Sequence, residues 1–192
     1  MYKYCIQSTN GGAYAFKSMA KINLGLDVLG KREDGYHEVR MIMQTIRMYD
    51  ILDIRKTRRP GIVLTTNLPF IPTDQRNLVY KAAQMLMEEF DVEEGLSIKL
   101  RKFIPVAAGM AGGSSDAAAA FVGVNRMFHL GLTEEQLMER AVKVGADVPY
   151  CIMRGTALAE GIGEKLIQTS GSSEMLCSDR KTGNQCFHKN SL

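Results

Sequence analysis

The sequence predicts an α+β fold: a mixed or largely antiparallel sheet packed against helices. Three observations carry this. Strand-type patterning dominates the first part of the chain, helical patterning follows, and no regular strand–helix alternation marks a doubly wound sheet. Of the 192 residues, 45% are hydrophobic, enough for one compact domain with its own core.

Residues 1–12 end in Asn10-Gly11-Gly12 and read as a loose leader. From Ala13 to about Gly30, Tyr14, Phe16, Ile22, Leu24, Leu26 and Val28 fit short extended segments. Asp34-Gly35 is a turn signal, followed by extended stretches at Val39–Arg47, Asp50–Lys56 and Ile62–Thr66. Pro69 and Pro72 make 67–75 a loop. Leu78, Ala82, Met85, Leu86 and Phe90 recur at helical spacing behind Asn77, a capping residue, which predicts a helix over 77–90. Leu96, Ile98 and Leu100 alternate as a strand. A glycine-rich loop then opens a helix from about Ser115 to Phe128, with Gly131 beyond its end. Thr133-Glu-Glu-Gln136 is a capping box starting a second helix that runs to about Val144. Gly145–Pro149 reads as a turn, and Tyr150–Glu160 as extended. The last stretch, 167–192, is rich in Ser, Thr, Gly, Asn and Lys; it has no period that could bury a face and reads as a disordered tail.

Composition narrows the function classes. Charged residues make up 23% and the net charge is only +3. The densest basic cluster, Arg55, Lys56, Arg58 and Arg59, reads as a solvated turn and is too short a footprint for nucleic acid. Apolar runs stay well below the ~18 residues of a membrane helix, and the first residues lack the apolar core of a secretory signal. The four cysteines show neither paired nor metal-ligand spacing, so a protein with reduced thiols in the cytoplasm is expected.

The strongest motif is Pro105-Val106-Ala107-Ala108-Gly109-Met110-Ala111-Gly112-Gly113-Ser114-Ser115, followed by Asp116 and four alanines. Small residues leave main-chain N–H groups uncovered, and glycines allow turns that aim several of them at one point. The run opens a helix whose first N–H groups have no internal partner, so together they make a cradle for polyphosphate. It is neither a Walker A loop nor a dinucleotide fingerprint. The competing reading is a tight loop with an Asp or Ser cap and no ligand. The number of small residues argues against it, since each glycine costs ordering entropy.

Three further segments carry chemistry-bearing side chains. Lys21 and Asn23 lie in an apolar extended stretch and point to one face. A buried Lys21 would need an anionic partner, whereas a snorkelling edge-strand lysine would not. Tyr36 and His37 follow a turn; they could stack on a planar base and bond its edge, or be ordinary surface residues. Asp147 follows a helix end, where an Asp usually satisfies a turn.

In the order Ala-Lys-Ile-Asn-Leu, Asp-Gly-Tyr-His, Pro-x-x-x-Gly-x-Ala-Gly-Gly-Ser-Ser and Gly-Ala-Asp-Val-Pro, these segments resemble the GHMP kinases, the family of galactokinase and of homoserine, mevalonate and phosphomevalonate kinases. The Lys-Ile-Asn and Gly-Tyr-His segments narrow the resemblance to the branch that acts on a diphosphocytidyl methylerythritol in non-mevalonate isoprenoid synthesis. The resemblance covers about 13–166. It implies the family's N-terminal fold, of the ribosomal protein S5 domain 2 type, and ATP-dependent phosphorylation of that substrate's 2-hydroxyl. Lys21 and Asp147 would be the catalytic pair. Pro105 to Ser115 would hold the phosphates of ATP with Mg²⁺. Asn23, Tyr36 and His37 would contact the substrate, the last two at the cytosine end. Met110 stands where the family usually has Leu, a volume-conserving exchange. Family members continue for roughly a hundred residues more, whereas the resemblance here stops near Leu166. An incomplete form with little turnover is therefore expected. The alternatives are a dead nucleotide-binding fragment and a family member for another alcohol, which Tyr36-His37 argues against.

Overall fold

The computed structural model describes residues 5–9, 13–33 and 35–169, the first of these for the backbone alone. Seven strands and four helices are arranged in it as β1 (Cys5–Thr9), β2 (Ala13–Lys31), β3 (His37–Thr57), β4 (Ile62–Thr66), α1 (Leu78–Glu89), β5 (Gly95–Arg101), α2 (Gly112–Met127), α3 (Glu134–Ala141), α4 (Val148–Met153), β6 (Thr156–Gly161) and β7 (Lys165–Thr169). The strands form one sheet in the order β1-β2-β3-β5-β4, and β6 and β7 extend it beside β3. Only β4 and β5 are parallel, so the expected mixed α+β architecture is present.

The long β3 serves two neighbours. Its Ile51–Thr57 end pairs with β5 and its Val39–Gln44 end with β6. On the β2 side, register shifts at Met19/Lys21, Asn23/Gly25 and Val28/Gly30 let the two long strands stay paired while the ribbon twists. The expected short segments are therefore single strands of 19 and 21 residues. Gly25 and Gly30 look like breaks in the sequence but sit beside bulges.

Packing centres on α2. Ala117, Ala118, Ala119, Ala120, Phe121 and Val124 are all fully buried against sheet residues such as Phe16, Leu52 and Ile54. A methyl on Gly123 would lie 2.5 Å from the Ile54 side chain, so the helix backbone rests directly on the sheet. α1 begins at the predicted cap: Asn77 Oδ1 accepts the Val79 N–H at 2.9 Å. The capping box of α3 is also present, with Thr133 and Gln136 bonded in both directions.

Four local expectations are corrected. Helix α2 starts at Gly112, three residues before the expected start at Ser115. Tyr150–Met153 is helical rather than extended; Pro149 lies in the first turn of α4, where a missing N–H costs nothing. Within the expected leader, Cys5–Thr9 pairs antiparallel with β2. Residues 167–169 belong to β7; the rest of the expected tail, 170–192, and Asp34 lie outside the described residues. Among the described residues, no helix is long and apolar enough to cross a membrane.

Beyond Ile22 every β2 side chain is exposed, so the β2–β3 hairpin reaches past the helices. Leu24, Leu26, Val28 and Leu29 stand between 43% and 58% exposed there. On the outer sheet face an apolar row, Ile42–Leu158–Ile167, lies beside a charged row, Asp27–Arg40–Glu160–Lys165.

Candidate functional site

The loop between β5 and α2 turns through three left-handed residues, Ala107 (φ 58°), Gly109 (φ 74°) and Ala111 (φ 54°). Two of these are not glycine, and an alanine held there costs about 1–2 kcal/mol. Met110 is the loop's anchor: its side chain is buried with Ala20 and Ile104, while Pro105–Gly109 stay exposed. Ala111 occupies the position before the helix, and no side chain caps α2. The capped, ligand-free reading of this loop therefore loses its cap. The first N–H groups of α2, among them Gly112, Gly113 and Ser114, are left for an external acceptor. The Ser115 hydroxyl is turned inward and donates to the Gly112 carbonyl at 2.9 Å, which leaves Ser114 as the hydroxyl nearer solvent.

Lys21 joins this loop to the rest of the site. Its main-chain N–H donates to the Met110 carbonyl at 3.1 Å. Its ammonium donates to Asn23 Oδ1 at 3.0 Å and lies 3.6 Å from Asp147 Oδ2. The side chain of Lys21 is 6% exposed and that of Asp147 31%. The lysine is thus buried and paired, not snorkelling. Asp147 precedes α4, yet its carboxylate makes no cap bond and faces Lys21 instead. Lys21, Asn23, Asp147 and the small-residue loop therefore come together in one place.

Tyr36 and His37 do not join them. Tyr36 is 56% exposed, and His37 pairs with Lys31 at the hairpin tip. Ten residues of β2 separate that tip from Lys21, about 33 Å if the strand ran straight.

A buried charge cluster beneath the loop has no counterpart among the expected site residues. The Lys102 ammonium bonds both Asp50 and Asp116, the latter at 2.7 Å. Asp50 Oδ1 also accepts the N–H groups of Phe103 and Ile104, the residues that lead into the loop. Burial pushes the Asp116 carboxyl up to about 8, with the ammonium pulling the other way and Asp50 adding to the rise. For Lys102 burial acts downward and is overcome by the two carboxylates, so its pKa is raised. Asp116 sits in a run of buried alanines, and that contrast was the available sequence signal. It calls for a partner without saying which.

Residues 77–155 match the family model for the GHMP kinases N terminal domain. The chain is 56% identical over 150 residues to the 4-diphosphocytidyl-2-C-methyl-D-erythritol kinase of Lachnospira eligens, covering 78% of this chain and 52% of that protein. It is 55% identical over 159 residues to the same-named enzyme of Caldicellulosiruptor bescii, covering 83% and 56%. A crystal structure of 4-(cytidine 5'-diphospho)-2C-methyl-D-erythritol kinase superposes with a TM-score of 0.71 at 33% identity, covering 81% of this chain and 55% of that one. The mevalonate kinase of Methanococcus jannaschii shares the fold, with a TM-score of 0.65 at 15% identity over 85% and 57% of the two chains. The chain spans about half the length of the curated relatives it matches.

Proposed function

Because this chain belongs to the GHMP kinases and carries their N-terminal domain, we propose that it is the nucleotide-binding part of an ATP-dependent kinase for the 2-hydroxyl of 4-diphosphocytidyl-2-C-methyl-D-erythritol. The observation that carries the proposal is the Lys21–Asp147 pair, 3.6 Å apart and stitched to the loop through the Met110 carbonyl. In this reading Asp147 accepts the proton of the substrate hydroxyl. The freed oxygen attacks the γ-phosphorus, and ADP leaves with the electron pair of the broken P–O bond. Lys21 steadies Asp147 and the charge on the transferred group. Positioning and electrostatics of this kind supply most of what phosphoryl transfer needs.

Residues 105–115 supply main-chain donors to the phosphates, from a loop already bent toward them and an uncapped helix start. Among the described residues there is no cluster of three or more metal-ligating side chains. Mg²⁺ would enter as a companion of the ATP phosphates and neutralise their charge. Asn23 holds the lysine and reaches the substrate. Tyr36 and His37 would meet the cytosine end from the hairpin. A small polar diphosphate substrate suits an enzyme of the cytoplasm.

A second reading is nucleotide binding without turnover. The distance of the Tyr36-His37 tip from Lys21, ten residues along β2, favours it. Calorimetric titration with ATP, together with transfer of labelled γ-phosphate to the substrate, separates the two. The proposal expects ATP binding with little turnover, and expects Asp147→Asn to remove whatever transfer is seen while ATP still binds. A chain that fails to bind ATP contradicts both readings, and transfer that survives Asp147→Asn removes the assigned base.

A further inference from the structure

The Lys21–Asp147 separation is too long for a charge-assisted hydrogen bond, which closes to about 2.7–2.9 Å. At 3.6 Å the two groups attract but do not lock each other. Their spacing must be imposed by the elements that carry them, β2 and the start of α4. Helix α4 has only six residues, too few to be stiff or well placed through its own backbone.

A ring of hydrogen bonds ties α4 to the strand opposite Lys21. Thr45 of β3 is the cross-strand partner of Lys21. Tyr150 lies in the first turn after Asp147, whose carbonyl accepts the Cys151 N–H at 3.1 Å. The Tyr150 hydroxyl donates to the Gly155 carbonyl at 2.7 Å. Its single proton is then used, so at the 3.1 Å contact between Tyr150 and Thr45 the threonine is the donor. The Gly155 N–H closes the ring by donating to Thr45 Oγ1 at 3.1 Å. The Thr45 N–H also donates to the Gly155 carbonyl, at 3.0 Å. Each hydroxyl gives one bond and takes one, and the ring leaves neither hydroxyl proton unused.

Phenylalanine would fill the volume of Tyr150, which is 1% exposed, equally well. The hydroxyl adds nothing to apolar packing; what it adds is a fixed address on β3. Burial pushes the Tyr150 phenol up to about 12, so it keeps the donated proton throughout the neutral range.

We infer that Tyr150 and Thr45 are positioning residues whose hydroxyl bridge sets the gap between Lys21 and Asp147. They touch neither group of the pair. Tyr150 acts through the helix turn that carries Asp147, and Thr45 through the strand pairing that carries Lys21. The inference rests on the proposed role of that pair, and it is tested separately from that role.

The test uses the chain itself, labelled with ¹⁵N, and reads the side-chain ammonium signal of Lys21, assigned by its loss in Lys21→Arg. An ammonium group gives a sharp signal only when it is sheltered and held by partners. The signal is expected in the wild type and in Thr45→Ser, which keeps the hydroxyl. It is expected to broaden beyond detection in Tyr150→Phe and in Thr45→Val, with the backbone amide spectrum away from α4 unchanged. Where Tyr150→Phe fails to fold, Thr45→Val against Thr45→Ser carries the comparison. A Lys21 signal that is equally sharp without either hydroxyl overturns the inference, and so does its absence from the wild type. In the transfer assay the same two variants are expected to lower kcat about tenfold with KM for ATP within about twofold. A wild type that binds no ATP and transfers nothing would sink the kinase reading and leave the ammonium experiment standing.

Discussion

Lys102 and Asp116 meet at 2.7 Å with both side chains at or below 5% exposure. With Asp50 on the other side of the ammonium, three ionisable groups lie beneath the loop, tying β3, the residue after β5 and the second turn of α2 into one unit.

That cluster makes stability depend on pH. The Asp116 carboxyl is pushed by burial up to about 8, whereas an unfolded Asp ionises near ~3.9. Between those values the folded chain holds a proton that the unfolded chain has lost. The contribution of Asp116 is therefore fullest below the lower value and fades as pH rises through the upper one. Urea denaturation at pH 5, 6, 7 and 8 should show wild-type stability falling relative to Asp116→Asn. The slope should approach about 1.4 kcal/mol per pH unit, one proton's worth. A constant difference between the two proteins over this range would contradict the placement of the proton.

Removing the ammonium should be worse than removing either acid. Lys102→Met leaves the Asp50 carboxylate buried without its cation and the Asp116 carboxyl without its partner, and breaking such a set typically costs about 3–5 kcal/mol. The loss should appear in the urea midpoint at pH 7 and should shrink in the double variant that also carries Asp116→Asn.

Asp147 should behave in the opposite way. Its carboxylate caps nothing and is 31% exposed, so Asp147→Asn should change stability by less than about 1 kcal/mol. Phosphoryl transfer, by contrast, should disappear. Thermal unfolding and the transfer assay on one preparation check both halves of this statement.

Gly123 tests the packing of α2. A methyl there would lie 2.5 Å from Ile54 Cδ1 and 3.1 Å from Phe16 Cε2. Gly123→Ala should destabilise by about 1–3 kcal/mol, although alanine is the better helix former. A stabilised variant would mean that the sheet can retreat from the helix.

The parts of the fold legible in the sequence are those with local chemistry at their ends. Asn77 starts α1 and the Thr133–Gln136 box starts α3, and both bonds are formed. Helix α4 was missed because Pro149 reads as a turn and six residues show no period. β1 was missed because Cys5–Thr9 carries no apolar alternation; only its pairing with Ala13–Phe16 defines it. In the site, the 105–115 loop is legible because small residues in such number have few other uses. Nothing near Asp147 in the chain points to Lys21; their order among the other motifs suggested the link, and the fold supplies the 3.6 Å distance. Asp50, Lys102, Thr45 and Tyr150 were invisible for a different reason. Each makes sense only through a partner 14 to 105 positions away in the chain.

Ala107 and Ala111, held at positive φ, set the tempo of the loop as well as its shape. Glycine at either position would relieve the steric cost and multiply the conformations open to the resting chain. With alanine the choice is narrow before any ligand arrives. On the proposed phosphate-binding role, an incoming anion would meet a surface already assembled, and its capture would be governed by diffusional encounter and not by a search through backbone rearrangements.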